Sequence, residues 1–462
     1  MWPLKIPRQA LPKTASSVLS GFRWTIPFNG RWPGYTEMNI RLHGPGFGSA
    51  HKMFLLATMY FCQAIPMGYV FGSLPVIMRE NDVSLAHIGW IFVLHFPWAL
   101  KFLYASWVDH HYIPALGRRR SWIFPLQWVA AILLLVAAHT PPDSAFIAMF
   151  LVMTVLNTVL ATNDIAVDGY ASDILLEHER PWGNTIQAGA RYVGLFLGGG
   201  LMLALHSSLG WESLCIALSA TVFLLSLPVF LHKEILPVYR KCANPKEQPA
   251  GVRIFLRRRE VRWLLPVLIA PTAFAFSSFM MRTPLFVDLG LDSSAMGRLM
   301  MHYAVPFGVA GTIATAWFLN RFGSRLYLRF FCVGTILLAV YAVYLSRVGT
   351  ITILEAGIVL SMDNILMGGI NVWGYTLMMR ACVGRNSGTG FAVLSSLFIL
   401  VPLVTAPLTG KLGDVCGFTL LYSLLTGLIV FGFIIAEMAL RLSRDTEQRN
   451  ISSEAAVRSS SN

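Results

Sequence analysis

The sequence is short of charge. Only 13% of its 462 residues are Asp, Glu, Lys or Arg, while 55% are hydrophobic and the mean hydropathy is +0.60. Soluble domains carry about 25% charged residues, so a water-solvated fold is excluded and a polytopic membrane protein is implied. Paired cysteines are also missing. None of Cys62, Cys215, Cys242, Cys332, Cys382 and Cys416 forms a C-x-x-C, and four lie in apolar surroundings, where they read as small buried hydrophobes. A phosphate-binding G-x-x-x-x-G-K-[ST] is absent, which argues against an ATP-driven mechanism within this chain. No nucleophile–base set is visible for a membrane enzyme, and His110 and His111 lack a third ligand at metal-binding spacing. No cofactor or metal is therefore expected. The formal charge of +13 lies in short loops between apolar runs, where the positive-inside rule accounts for it without nucleic acid.

What is present is a series of apolar runs, each long enough to span a bilayer at about 20 residues. They fall near 53–78, 85–107, 121–139, 145–168, 184–206 and 211–231, then 263–287, 294–319, 327–346, 350–379, 388–410 and 418–440. The expectation is twelve transmembrane helices in an all-α integral membrane fold. Residues 1–50 are basic and rich in Pro, Gly and Trp, without the apolar core of a signal peptide, and are expected to be a cytoplasmic tail. Met38 is an alternative start, and residues 441–462 form a second tail.

Residues 51–231 and 262–440 form two six-helix halves joined by a basic linker at 232–261. With both termini cytoplasmic, interior loops hold Arg118–Arg120, Arg180, Arg321, Arg325, Arg329, Arg380 and Arg385. The exterior side keeps only Arg79, Arg282, Arg298, Arg347 and Lys411. The halves echo each other: W-V-D-H-H-Y-I-P-A-L-G-R-R-R follows the second span and F-L-N-R-F-G-S-R-L-Y-L-R the eighth. Polar residues recur in the fourth (Asn163, Asp164) and tenth (Asp363, Asn364). Paired halves with matching interruptions are the sequence sign of alternating access.

The loop after the second span resembles the G-x-L-x-D-R-x-G-R-R signature of the major facilitator superfamily, keeping Asp109 and Arg118–Arg120. K-F-L-Y-A-S-W-V-D-H-H-Y-I-P-A-L-G-R-R-R-S-W, then N-D-I-A-V-D-G-Y-A-S-D, E-R-P-W-G-N and G-A-R-Y-V-G-L-F-L-G-G-G resemble its AmpG-like branch in order. That branch holds anhydromuropeptide permeases and importers of siderophores of the rhizobactin and pyochelin type. The resemblance implies a proton-coupled importer of a bulky polar solute in a bacterial inner membrane, acting as a monomer. Twelve spans, two fewer than usual for AmpG, put a ferric siderophore first and a muropeptide second. A non-transporting signalling or scaffold protein is the rival from another class.

Ionisable residues inside a membrane mark function by default. Asp164 and Asp168, four apart, share a helix face. Lys101 lies eight residues before Asp109 and Asp164 nine before Asp173, so the two match in depth and can neutralise each other. Proton coupling or gating is therefore placed on Asp164, Asp168 and Lys101, with a purely structural pair as the alternative. Arg191, carried by G-A-R-Y-V-G, suits a carboxylate or phosphate, or a salt bridge to either acid. Asp363 and Asn364, flanked by Gly368 and Gly369, suit a substrate cavity at the midplane. Asp109, Arg118, Arg119 and Arg120 suit a conformational switch loop. Asp173 reads as an interface charge and His95 and His302 as core histidines, while Glu355 lies closer to the exterior. Trp90, Trp98, Trp107 and Trp128 are either interfacial anchors or pocket walls.

Overall fold

The structure is a computed structural model describing residues 48–80, 90–142, 144–234, 252–291, 293–382 and 387–460. Most of the N-terminal tail with Met38, the middle of the linker with Cys242, Arg385 and the side chain of Trp90 lie outside the described residues.

Every crossing segment is helical, because a helix satisfies its own backbone groups where no water can. The segments are α1 (Ser49–Met78), α2 (Val93–Leu103), α3 (Arg120–Ala138), α4 (Phe146–Ile174), α5 (Arg180–His206) and α6 (Ser208–Leu231). Beyond the linker come α7 (Val261–Asp288), α8 (Ala295–Phe322), α9 (Ser324–Val348) and α10 (Ile353–Ala381). A last apolar stretch, Ser387–Leu442, is divided at Gly417, whose φ of 71° no helix interior adopts. It thus supplies α11 (387–416) and α12 (418–442). Among the described residues ten helices meet the length and apolarity of a full span. Dividing the last one and adding the short α2 makes twelve crossing segments. The turn between α5 and α6 is made the same way, at Gly210 with φ 73°. The final helix continues to Ser460, past the end of its apolar stretch.

The second segment departs from a regular helix. It runs as a 3-10 turn over Trp90–His95, an α turn over Phe96–Leu100, a second 3-10 turn over Lys101–Leu103, and a short helix over Ala105–His110. Pro97 near the start of the α turn and Tyr104 (φ −115°, ψ 1°) between turns interrupt the regular pattern. This break lets Lys101 turn inward while its neighbours Leu100 and Leu103 stay exposed on the lipid side.

Helix α1 lies against α5 with backbone close to backbone. A Cβ on Gly68 would sit 1.9 Å from the Gly194 carbonyl oxygen, and one on Gly198 2.1 Å from that of Ile65. Both helices widen to π geometry there, at Tyr69–Ser73 and Leu195–Leu201, and the Ser73 hydroxyl donates to the Gly198 carbonyl at 2.7 Å. Elsewhere α3 packs on α6 and α8 on α10. The two six-helix sets meet where α5 faces α8 and α10, and where α4 and the Ala105–His110 helix face α11.

Candidate functional site

Asp164 and Asp168 project from one face of α4, about 15 Å and 9 Å before its end at Ile174. Both are buried, as is Lys101, and three charges in such a place need partners. The Lys101 ammonium donates to Asp164 Oδ2 and lies 3.6 Å from Asp168 Oδ2. Gln63 of α1 donates to Asp164 Oδ1 at 2.7 Å. Asp168 Oδ1 accepts from the Tyr60 hydroxyl at 2.9 Å and from Gln187 Nε2 of α5 at 2.8 Å. Asn163 donates to Gln63 Oε1 at 3.4 Å. Four elements therefore converge on two carboxylates through α1, α2, α4 and α5.

Arg191 stands beside this cluster. It lines a recess with Tyr60, Gln63, Ala64, Met67, Trp98, Asp164 and Gln187. Its guanidinium carbon lies 5.4 Å from the ring centre of Tyr375 on α10, a cation–π contact across the two halves. Among the described residues no carboxylate lies within 4.0 Å of it, so its charge is balanced at longer range. The sequence left open a direct salt bridge to Asp164 or Asp168, and the geometry holds none.

The Arg-rich end of the bundle is shut by a second set of charges. Asp109 receives Arg119 Nη1 at 2.5 Å and Arg118 Nη2 at 3.2 Å. Its other oxygen accepts both the backbone N–H and the hydroxyl of Thr389 at 2.6 Å, at the beginning of α11. There the helix dipole and open N–H groups favour a carboxylate. Arg119 also donates to Asp173 at 3.0 Å and to the Ser387 hydroxyl at 2.7 Å, and Ser387 donates to Asp173 Oδ1 at 2.7 Å. A Cβ on Gly388 would meet Asp109 Oδ1 at 2.7 Å, so the approach requires glycine. Further bonds across the halves run from Asn184 to Thr376 (3.1 Å), from Thr185 to the Thr312 carbonyl (3.0 Å) and from Arg380 to Glu177 (3.4 Å). All of these lie on the Arg-rich side of Arg191, so the bundle is sealed at that end.

Arg120 goes elsewhere: its side chain donates to the Val229 carbonyl at 3.1 Å and to that of Phe230, closing the end of α6. Glu234, just past α6, accepts the backbone N–H groups of Arg119 (2.8 Å) and Arg120 (2.7 Å), tying the start of the linker to α3. Burial raises the Glu234 carboxyl above its usual range, against the lowering effect of those N–H groups and of Arg119. Glu179, on the loop before α5, is raised by burial but lowered more by Lys52 (2.8 Å), Ser49 (2.5 Å) and the Leu176 N–H (3.0 Å), so it falls below its usual range.

Asp363 and Asn364 sit apart from the cluster. Asp363 is eighteen residues before the end of α10, about 12 Å further from the Arg-rich end than Asp164. It pairs with Arg282 of α7 (Nε to Oδ2 2.8 Å), which also donates to the Leu338 carbonyl at 3.1 Å and lies 5.1 Å from the Tyr422 ring centre. Asn364 donates to the Leu360 carbonyl of its own helix at 2.8 Å. Arg282, read from the sequence as an exterior span edge, is thus a buried ion-pair partner. Among the aromatics, Trp98 lines the recess and donates to Asn157 at 3.3 Å. Trp107 is exposed against Trp122, and Trp128 donates to Ser226 at 3.0 Å. Glu355 forms a capping box with Thr352 at the start of α10. The His95 ring lies tilted against Phe71, with centroids 3.6 Å apart, and His302 is exposed.

Sequence reasoning missed Tyr60, Gln63, Gln187 and Tyr375. A signal for one of them, Gln187, was present on α5, where Arg180, Asn184, Gln187 and Arg191 recur at three- and four-residue steps on one helix face.

The family model described as Acetyl-coenzyme A transporter 1 matches residues 52–231, which carry the whole cluster. The anhydromuropeptide permease of Escherichia coli K12 is 24% identical over 395 residues, 82% of this chain and 78% of that one. Among solved structures, the transporter FucP in its outward conformation aligns with TM-score 0.62 at 13% identity, over 84% of this chain and 98% of its own. An outward-facing bacterial homologue of the iron transporter ferroportin aligns with TM-score 0.61 at 13% identity, over 85% and 99%. The chain has the fold of a major facilitator transporter and is similar, along most of its length, to the AmpG-like branch of that superfamily.

Proposed function

We propose that this protein is a proton-driven importer of a bulky, anionic solute of the anhydromuropeptide type across a bacterial inner membrane. Residues 51–231 and 262–440 act as the two moving halves, with both termini and the Arg-rich end on the cytoplasmic side. The observation that carries this reading is the buried Lys101–Asp164–Asp168 cluster beside Arg191, which has no carboxylate within 4.0 Å among the described residues. An arginine at this depth without a close counter-ion favours an anion arriving from the open side. The neighbouring carboxylates can take up and release a proton as the halves exchange contacts. Asp109, Arg118 and Arg119 hold the outward state shut at the cytoplasmic end, whereas Arg120 serves packing. We assign Asp363 to a brace with Arg282 and not to solute contact.

Anhydromuropeptides and acetyl-coenzyme A, the solutes in the names of the similar proteins, are both bulky and anionic. The match over 52–231 makes acetyl-coenzyme A the competing solute, and the siderophore suggested by span number is a third arm of the same test. Proteoliposomes with acid outside are given radiolabelled N-acetylglucosaminyl-1,6-anhydro-N-acetylmuramic acid, acetyl-coenzyme A or a ferric siderophore, with and without a protonophore. Accumulation of the anhydro-disaccharide that the protonophore abolishes is expected. Uptake indifferent to the protonophore would sink proton coupling, and uptake of only one of the other solutes would replace the substrate.

A further inference from the structure

The cluster holds four formal charges, Lys101 and Arg191 against Asp164 and Asp168, and they sum to zero. A solute anion docking at Arg191 would leave this buried site one negative charge in excess, which a low-dielectric interior opposes strongly. A proton arriving with the anion restores balance, and the hydrogen bonds indicate where it goes. Both Asp164 oxygens accept strong donors, Gln63 and Lys101. Asp168 Oδ1 accepts two, Tyr60 and Gln187. Asp168 Oδ2 is buried and accepts no hydrogen bond, with the Lys101 ammonium at 3.6 Å, beyond bonding distance. Protonating any of the other three oxygens would displace a donor already in place, whereas protonating Asp168 Oδ2 displaces none. Beside Arg191, the Tyr375 hydroxyl is buried and makes no hydrogen bond, so it can donate to the same anion.

We propose that Asp168 Oδ2 binds the coupling proton and that Arg191, with Tyr375, binds the anionic group of the solute, so that one proton enters with each negative charge. This rests on the proton-driven reading above and adds the acid, the atom and the charge rule. The groups facing Asp168 are Tyr60 of α1, Lys101 of α2, Asp164 of its own helix, Gln187 and Arg191 of α5, Tyr375 of α10, and the Cys382 thiol just beyond α10. With the proton on Asp168, Lys101 remains paired with Asp164 while Arg191 is matched to the solute. Each half of the charge set is then neutral by itself, as alternating access requires of a loaded carrier.

The test uses the full-length protein in lipid nanodiscs, titrated with the anhydro-disaccharide, which carries one carboxylate, and with its uncharged carboxamide. Calorimetry in buffers of different ionisation enthalpy counts the protons bound. About one proton should enter with the acid and none with the amide, which should bind roughly tenfold to a hundredfold more weakly. Arg191→Gln should erase the preference for the acid, and Asp168→Asn should bind the acid without proton uptake. Equal proton uptake with acid and amide overturns the charge rule.

Two charge-neutral variants locate the proton without any ligand. Infrared titration of the protonated carboxyl band should move upward by about one to two in pH in Tyr60→Phe, which removes a donor to ionised Asp168. It should stay in place in Gln63→Leu, which removes a donor to Asp164. The reverse pattern overturns the assignment to Asp168. Failure of both ligands to bind would defeat the muropeptide reading alone, because the infrared arm still decides which acid carries the proton.

Discussion

Replacing Asp109 with alanine removes the two hydrogen bonds that its carboxylate accepts from Thr389, both 2.6 Å and both between the two six-helix sets. Hydrogen bonds to a charged group contribute about 1.5–3 kcal/mol each, so the seal loses about 3–6 kcal/mol relative to the state in which these groups are apart. At 1.4 kcal/mol per tenfold, the open-to-sealed ratio rises by about 10² to 10⁴. A minor state populated at roughly 0.1–10% would then rise to between about a tenth and nearly all of the molecules, a gain of about tenfold to a thousandfold before saturation. Cys382 reports it. It is 2% exposed at the sealed end, beside Gly390 and Phe255, and burial pushes its thiol pKa up, which suppresses the reactive thiolate. In a background with the other five cysteines changed to serine, a membrane-impermeant thiol reagent is applied from the Arg-rich side. Asp109→Ala should accelerate labelling within that range, and Ser387→Ala should do so less, since Arg119 keeps Asp173 and Asp109. Labelling within about twofold of the parent, in protein that melts normally, would refute the cross-half seal.

Other outcomes follow from the same geometry. Asp164→Asn should abolish proton-coupled accumulation with insertion intact; normal transport would leave Asp164 structural at most, and lost insertion would indicate a folding defect. Arg282→Met alone strands Asp363 and should destabilise the protein by about 3–5 kcal/mol, with Arg282→Met/Asp363→Leu recovering much of the loss in a detergent melting assay. Gly68→Val should prevent assembly of α1 against α5, seen as loss of monodisperse protein, because the contact leaves no room for a Cβ. Glu179 has a folded pKa below its unfolded value, so its contribution to stability is present above the unfolded pKa and lost as pH falls through the folded one. The melting temperature of the parent should therefore approach that of Glu179→Gln below about pH 4 and exceed it at neutral pH.

The helical, membrane-spanning fold was legible because apolar run length fixes it directly, and Asp164 stood out because a carboxylate amid Asn157–Ile165 has few benign explanations. The match of Lys101 to Asp164 followed from depth alone, although the break in α2 that turns Lys101 inward did not. Arg282 was hidden by its place near the end of a run, where a snorkelling arginine looks the same as a buried one. Its pairing with Asp363 joins residues 81 positions apart, and no local pattern encodes that. Arg118, Arg119 and Arg120 read as one basic block. Successive residues point about 100° apart around a helix turn, so one closes α6 while the other two hold Asp109. Tyr60 and Gln63 escaped notice because an uncharged polar residue in an apolar run is ordinary until the carboxylates it serves are placed beside it.

The central claim is that solute and proton cross together through the α1–α2–α4–α5 cluster. It is tested most directly in proteoliposomes loaded with a pH-sensitive dye and held at equal pH on both sides. Adding the anhydro-disaccharide outside should acidify the lumen of vesicles carrying the parent protein and leave Asp168→Asn vesicles unchanged. Solute entry without lumenal acidification, or equal acidification in the variant, would contradict the account.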